Sequence, residues 1–203
     1  MRVIGGKAKG HRLLSVPGRG VRPITDRVKS ALFDILSNRV EGAVVLDLFA
    51  GTGSVGIEAL SRGARRAVFV EKDPAVVRVL RENLRRTGLE AQAEVVQDDV
   101  FRFLKRPPPQ RFDIIYIAPP QYRGLWSQTL LALDGGDFLA PDGVAVVQIF
   151  PKEFEELTLK QLMLEDKRKY GSTLLCFYSK VEARPSGPER GCEDPSSASS
   201  KKP

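Results

Sequence analysis

Residues 44–60 constrain the fold more than any other stretch of this chain. An apolar run, Val44-Val45-Leu46, stops at Asp47, and a turn of small residues follows: Gly51, Thr52, Gly53, Ser54 and Gly56. Val55, Ile57, Ala59 and Leu60 then recur at helical rather than alternating spacing. An apolar run of this kind suits a strand buried on both faces. Strand, glycine turn and helix start together make the first half of a βαβ unit. Glycines at such a turn permit positive φ and let a ligand approach the backbone. The helix N-terminus beyond them offers free N–H groups.

The same alternation continues downstream. Strands are expected near 67–71, 93–97, 113–117 and 144–149, with a final pair near 157–164 and 173–179. Helices are expected at 54–62, 74–87, 100–104 and 124–133. Pro74 suits a helix start and Gly88 a helix end. Thr25 can cap an earlier helix whose apolar stripe is Val28, Leu32, Ile35 and Leu36. This pattern predicts an α/β fold with a mostly parallel sheet and helices on both faces. Residues 2–14 read as a short hairpin turning at Gly5-Gly6. The expected division is a basic N-terminal hairpin and loop over 1–22, a main domain over 23–181, and a disordered Pro/Ser/Gly-rich tail over 182–203.

Charge is unevenly spread. Of the net +7, all lies in residues 1–40, where nine basic residues face Asp26 and Asp34, while the remainder is neutral. A basic segment beside a neutral body is the footprint of polyanion binding, nucleic acid first. Arg2, Lys7, Lys9, Arg12, Arg22 and Arg27 are the candidate nucleic-acid contacts, and Lys29 lies near the expected crevice. No apolar run approaches a membrane span of roughly 18 residues, and the start of the chain has no secretory pattern. Cys176 and Cys192 lack disulfide or zinc spacing, which fits a reducing cytoplasm. His11 is the only histidine, so neither a His-based triad nor a metal site is expected.

Ligand groups in an open α/β sheet come from the carboxyl ends of the strands. The turn matches Gly-x-Gly-x-x-Gly at Gly51, Gly53 and Gly56, a weak signal alone. Asp47, however, suits a ligand with a cationic end better than a pyrophosphate. S-adenosylmethionine carries both an ammonium and a sulfonium. Glu71, twenty residues after Gly51, can take both hydroxyls of a ribose. Asp99 can accept from an adenine amino group, although an acid there also suits a helix cap.

The stretch around Asp47 resembles motif I of class I methyltransferases. The fourth strand end reads Ala118-Pro119-Pro120-Gln121-Tyr122, similar to the Asp/Asn-Pro-Pro-aromatic motif of enzymes that methylate exocyclic or amide nitrogens. Together with Asp-Leu-Phe-Ala-Gly-Thr-Gly-Ser-Val-Gly, Glu71-Lys72-Asp73, the opening Arg-Val-Ile-Gly-Gly-Lys and Arg22-Pro23-x-Thr25-Asp26-Arg27, it makes residues 1–180 resemble the RsmD family. That resemblance implies a Rossmann-like methyltransferase sheet and methylation of a guanine N2 amine in 16S ribosomal RNA. The RNA could be free or within a partly assembled small subunit, and the enzyme a monomer. Cofactor contacts are then expected at Asp47, Phe49, Ala50, Gly51, Thr52, Gly53, Glu71, Lys72 and Asp99. Catalytic positions are Ala118, Pro119, Pro120, Gln121 and Tyr122.

Ala118 departs from the motif. An exocyclic amine is a weak nucleophile because its lone pair is delocalised into the ring, and acceptors on its hydrogens favour the pyramidal geometry of attack. Ala118 offers no side-chain acceptor. The backbone carbonyls of Ala118-Pro119-Pro120, directed by the fixed φ of proline, and Gln121 are the expected substitutes, with Tyr122 stacking on an extruded base. Two other readings compete: an RNA-binding assembly factor that keeps the fold without its chemistry, and a nicotinamide oxidoreductase. The Pro-Pro strand end and the basic N-terminus argue against the second.

Overall fold

The structure, a computed structural model, describes residues 1–16 and 24–181. Seven strands form one sheet: β1 (Val44–Leu48), β2 (Arg66–Val70), β3 (Ala93–Val96), β4 (Phe112–Ile117), β5 (Leu139–Ile149), β6 (Leu162–Tyr170) and β7 (Thr173–Lys180). Their order is β3-β2-β1-β4-β5-β7-β6. All neighbours pair in parallel except β7, which runs antiparallel to both β5 and β6. The chain builds outward from β1 to β3, then returns to lay β4 on the other side of β1. That reversal opens a crevice at the carboxyl ends of β1 and β4, the place where ligands bind in such sheets.

Helices α1 (Asp26–Leu36), α2 (Ser54–Ser61) and α3 (Pro74–Thr87) cover one face, while α4 (Val100–Leu104) and α5 (Leu125–Asp134) cover the other. Strand β1 is buried along its whole length and divides its side chains between the two cores. Thr25 caps α1 through its hydroxyl, Asp73 caps α3, and Gly88 closes α3 in the left-handed conformation. Trp126 is buried and stacks on Phe154. Cys176 is buried in β7, which pushes its thiol up to about 12. No helix among the described residues is long and apolar enough to cross a membrane.

Three expectations change. The last strand pair begins at Leu162 rather than 157, because the amides of Lys160, Gln161 and Leu162 all donate to the buried Asp134 carboxylate. Strand β5 starts at Leu139, five residues earlier than expected, running through Pro141-Asp142-Gly143 with a register shift opposite β4. The N-terminal hairpin turns over Gly5 to Gly10 rather than at Gly5-Gly6 and has a single bridge, Arg2 to Arg12. Arg22 and residues 182–203 lie outside the described residues.

Residues 1–16 are stitched to α2. The Lys7 N–H donates to the Ser61 carbonyl at 2.8 Å, the Ala8 N–H to Ser61 Oγ at 2.9 Å, and Ser61 Oγ to the Gly5 carbonyl at 2.6 Å. Gly6 lies so close to α2 that a Cβ there would fall 1.8 Å from the Ser61 carbonyl oxygen. Beneath these contacts, Glu58 accepts the Ile4 and Gly5 N–H groups, each at 2.8 Å. It also pairs with Lys29 at 3.2 Å and Arg62 at 2.8 Å. Lys29 donates to the Arg2 carbonyl at 2.7 Å and to Ser54 Oγ at 3.2 Å. Lys29 is therefore a buried tie between α1, α2 and the N-terminus, not an exposed contact at the crevice. Burial holds its ammonium below the usual lysine range, with Glu58 opposing the shift.

Glu58→Leu is expected to destabilise the fold by about 3–5 kcal/mol, since it strands a buried cation and two amides. Lys29→Met added to Glu58→Leu should recover part of that loss. Urea denaturation of the two variants measures both effects.

Candidate active site

The turn after β1 is tightly built. Phe49 takes φ 59°, Gly51 φ 56° and Gly53 φ 84°, and Gly53 closes onto the Ala50 carbonyl at 2.9 Å. The φ of Gly53 favours glycine there, and a side chain would also have to displace Leu80 Cδ1, 2.3 Å away. Gly51 has open space where its Cβ would point, with nothing nearer than the Phe49 carbonyl oxygen at 4.0 Å.

Two acids hold this turn from below. Asp47, the fourth residue of β1, accepts the Gly56 N–H on Oδ2 at 2.9 Å. Its burial raises its pKa to about 8, against the pull of the Gly56 amide and with a further push from Glu71. Glu71, just past β2, accepts the Gly51 N–H on Oε2 at 3.0 Å and the Asp73 N–H on Oε1 at 2.9 Å. Burial raises its pKa as well, with the Gly51 amide and then the Lys72 amide and charge opposing the shift.

A cleft opens above the β1–β4 junction. Asp47, Phe49, Ala50, Gly51 and Thr52 form one wall; Ala118, Pro119, Pro120 and Gln121 form the other. The remaining expected residues lie outside these walls. Gly53 is behind the turn, Glu71 reaches it through Gly51, and Lys72 is exposed beyond β2. Asp99 caps α4, its Oδ1 accepting the Phe101 N–H at 2.9 Å and the Arg102 N–H at 3.4 Å. Tyr122 stands beside the cleft, 66% exposed at φ 58°, with its ring 5.7 Å from that of Phe150. Its N–H donates to Glu153 Oε1 at 2.6 Å.

Met1, Ser15, Val16 and Ile24 also line the cleft, and sequence reasoning missed them. They carry no chemical signal; the packing of residues 1–16 on α2 and, where Leu14 bonds Asn83, on α3 brings the first three there, and Ile24 arrives just ahead of α1. Tyr116 and Gln148, on β4 and β5, complete the floor, and the Tyr116 hydroxyl donates to Gln148 Oε1. Period-2 alternation back from Ala118 points to Tyr116. Of the candidate RNA contacts, Arg2, Lys7, Lys9, Arg12 and Arg27 are exposed. Arg2 pairs with Asp26 at 3.0 Å, and Lys7 donates to Gln92 at 2.9 Å.

The sheet order and the glycine turn at the β1–β4 crevice define a class I methyltransferase, an enzyme dependent on S-adenosylmethionine. The family model described as "Conserved hypothetical protein 95" matches residues 1–179, and the chain belongs to that family, the RsmD family. Ribosomal RNA small subunit methyltransferase D of Haemophilus influenzae is 37% identical over 150 residues, covering 73% of this chain and 78% of that one. The protein of the same name in Escherichia coli K12 is 37% identical over 148 residues, covering 73% and 74%. The solved structure of a hypothetical protein of Thermus thermophilus superposes with a TM-score of 0.73 at 37% identity, covering 89% of this chain and 99% of that one. An RNA methyltransferase of Salinibacter ruber in complex with S-adenosyl-L-homocysteine shares the fold, with a TM-score of 0.61 at 19% identity over 81% and 97%.

The residues present fit the cofactor. A buried acid that a cationic group would draw into its charged form lines the cleft, and a bare Cα at Gly51 leaves room for a ligand to approach the backbone.

Because the Asp47 pKa is near 3.8 unfolded and about 8 folded, its contribution to stability is complete below the lower value and declines as pH rises through the upper. Asp47→Asn should therefore flatten the fall of the melting temperature between those limits, while weakening cofactor binding by about tenfold or more through loss of a charged partner. Thermal melts across pH and calorimetry with S-adenosylmethionine read the two effects.

Proposed function

We propose that this enzyme methylates the exocyclic N2 amine of a guanine in 16S ribosomal RNA. The observation that carries this reading is the sharing of one cleft by the glycine turn of β1 and the Ala118-Pro119-Pro120 end of β4. The names of the relatives support ribosomal RNA as substrate, and the resemblance of the strand-four motif supports an amine as acceptor. The substrate is free 16S RNA or a partly assembled small subunit, and the protein acts as a cytoplasmic monomer.

In this reading Asp47 takes the ammonium of the cofactor, the turn from Phe49 to Gly53 lies along it, and Glu71 accepts the ribose hydroxyls beside Lys72. Asp99 takes the adenine amino group on Oδ2 while Oδ1 continues to cap α4. The bound cofactor supplies an electrophilic methyl on a sulfonium. The chain's own residues orient the two substrates, which can contribute about 7–11 kcal/mol of the acceleration. The Pro119-Pro120 backbone and Gln121 bound the site of the target amine, and Tyr122, backed by Phe150, stacks on the extruded base. Residues 1–22 and Arg27 place the RNA through its phosphates, with Arg22 among those contacts.

Transfer of labelled methyl to 16S RNA, followed by mass spectrometry of the nucleosides, is expected to yield N2-methylguanosine. A methylated adenine would overturn the choice of base. Binding of cofactor and RNA without any transfer would favour the assembly-factor reading instead.

Replacing Lys9 and Arg12 with glutamate should weaken RNA binding and lower the slope of log K against log salt by about one for each phosphate no longer neutralised. Cofactor affinity should not change. An unaltered slope in a titration series would place the RNA on another face.

A further inference from the structure

We propose that Gln148 supplies the side-chain acceptor that Ala118 lacks, holding the substrate amine for attack; this rests on the amine-methylation reading above. The register of the sheet places the two residues side by side. Ile117 pairs with Val147 and Tyr116 with Val146 in the parallel β4–β5 ladder, so the next position along each strand sets Ala118 beside Gln148. Side chains alternate along a strand, which puts Tyr116, Ala118 and Gln148 on one face. All three line the cleft, as does Asp47 of β1.

The amide of Gln148 is aimed. Its Oε1 receives the Tyr116 hydroxyl, and a carbonyl oxygen has a second lone pair for another donor. Tyr116 is buried, and burial, followed by the nearby Asp47, holds its hydroxyl well above the usual range, so it remains a donor. The other polar groups are less suited. Gln121 is exposed beyond the two prolines. Asp47 is committed to the Gly56 N–H and, in the proposed reading, to the ammonium of the cofactor.

With one N–H accepted by Gln148, the amine nitrogen turns its lone pair from the ring toward the methyl carbon. The C–N bond forms as the C–S bond breaks, the electron pair stays on sulfur as a neutral thioether, and the surplus proton leaves the nitrogen for water. Gln148 orients and polarises; it takes no proton.

Three variants test this with methyl transfer to 16S RNA. Gln148→Met, unbranched and without an acceptor, should lower kcat by about 10², with KM for RNA and calorimetric cofactor affinity within twofold of wild type. Adding Ala118→Asp to Gln148→Met should restore kcat at least tenfold. Gln148→Glu keeps the contact with Tyr116, should stay within tenfold of wild type, and should gain an acid limb in its pH profile as the new carboxylate protonates. An unchanged kcat in Gln148→Met, a loss that Ala118→Asp fails to restore, or a flat profile for Gln148→Glu overturns the role of Gln148 alone. No transfer by the wild-type enzyme overturns this inference and the reading beneath it together.

Discussion

The carboxylate of Asp47 joins the end of β1 to the first turn of α2, and the shape of the cleft depends on that joint. Burying a carboxylate is unfavourable unless it is paired or well hydrogen-bonded. The single amide at Gly56 offsets part of that penalty, and the remainder appears as a pKa of about 8. The strain is relieved by any positive charge that enters the cleft. Glu71 repeats the arrangement more mildly, with one oxygen on the turn and the other on the start of α3. Both acids therefore hold the turn rigid before a ligand arrives, and each oxygen still has a lone pair to offer. This is preorganisation: the turn does not have to be ordered again on binding.

The N-terminal segment extends the same logic to the substrate side. A basic stretch beside a neutral body suggests an arm that reaches for RNA. Here the segment is anchored through Glu58, Lys29 and Ser61 to the helix that begins at the glycine turn. Met1 and Ser15 face the cleft while Lys9 and Arg12 are exposed nearby in the same segment. In the proposed reading, the segment that would seat a phosphate backbone is thus the same one that completes the cleft wall.

Much of the sheet is legible in the sequence because its signals are local. The runs at β1 and β4, the Pro74 and Gly88 boundaries of α3, and the Thr25 cap each follow from a few neighbouring residues. Strand β6 is harder to place for a physical reason: it is an edge strand carrying Glu165 to Lys169, so its apolar alternation is faint. The early start of β5 is hidden by Pro141 and Gly143, which ordinarily break strands. At the cleft, the residues with chemical signatures are recognisable, but those present only through tertiary packing are not. Met1, Val16 and Ile24 have no motif to declare them. Lys29 reads as one more basic residue until the fold surrounds it with Glu58, Ser54 and the Arg2 carbonyl.

The fourth strand end shows why losing a motif side chain need not remove its duty. In a parallel sheet, residues at one level on neighbouring strands stand about 4.8 Å apart and project the same way. An acceptor placed at 148 rather than 118 is therefore displaced by one strand spacing and still faces the same crevice. An amide also differs from a carboxylate in cost. Beside the buried Asp47, a second acid would add like charge to a carboxyl already held up to about 8, whereas a glutamine accepts a hydrogen bond without adding charge. The neutral pair formed by Tyr116 and Gln148 gives the floor of the cleft a directed acceptor and leaves ionisation to Asp47, whose charged form a cationic ligand would favour.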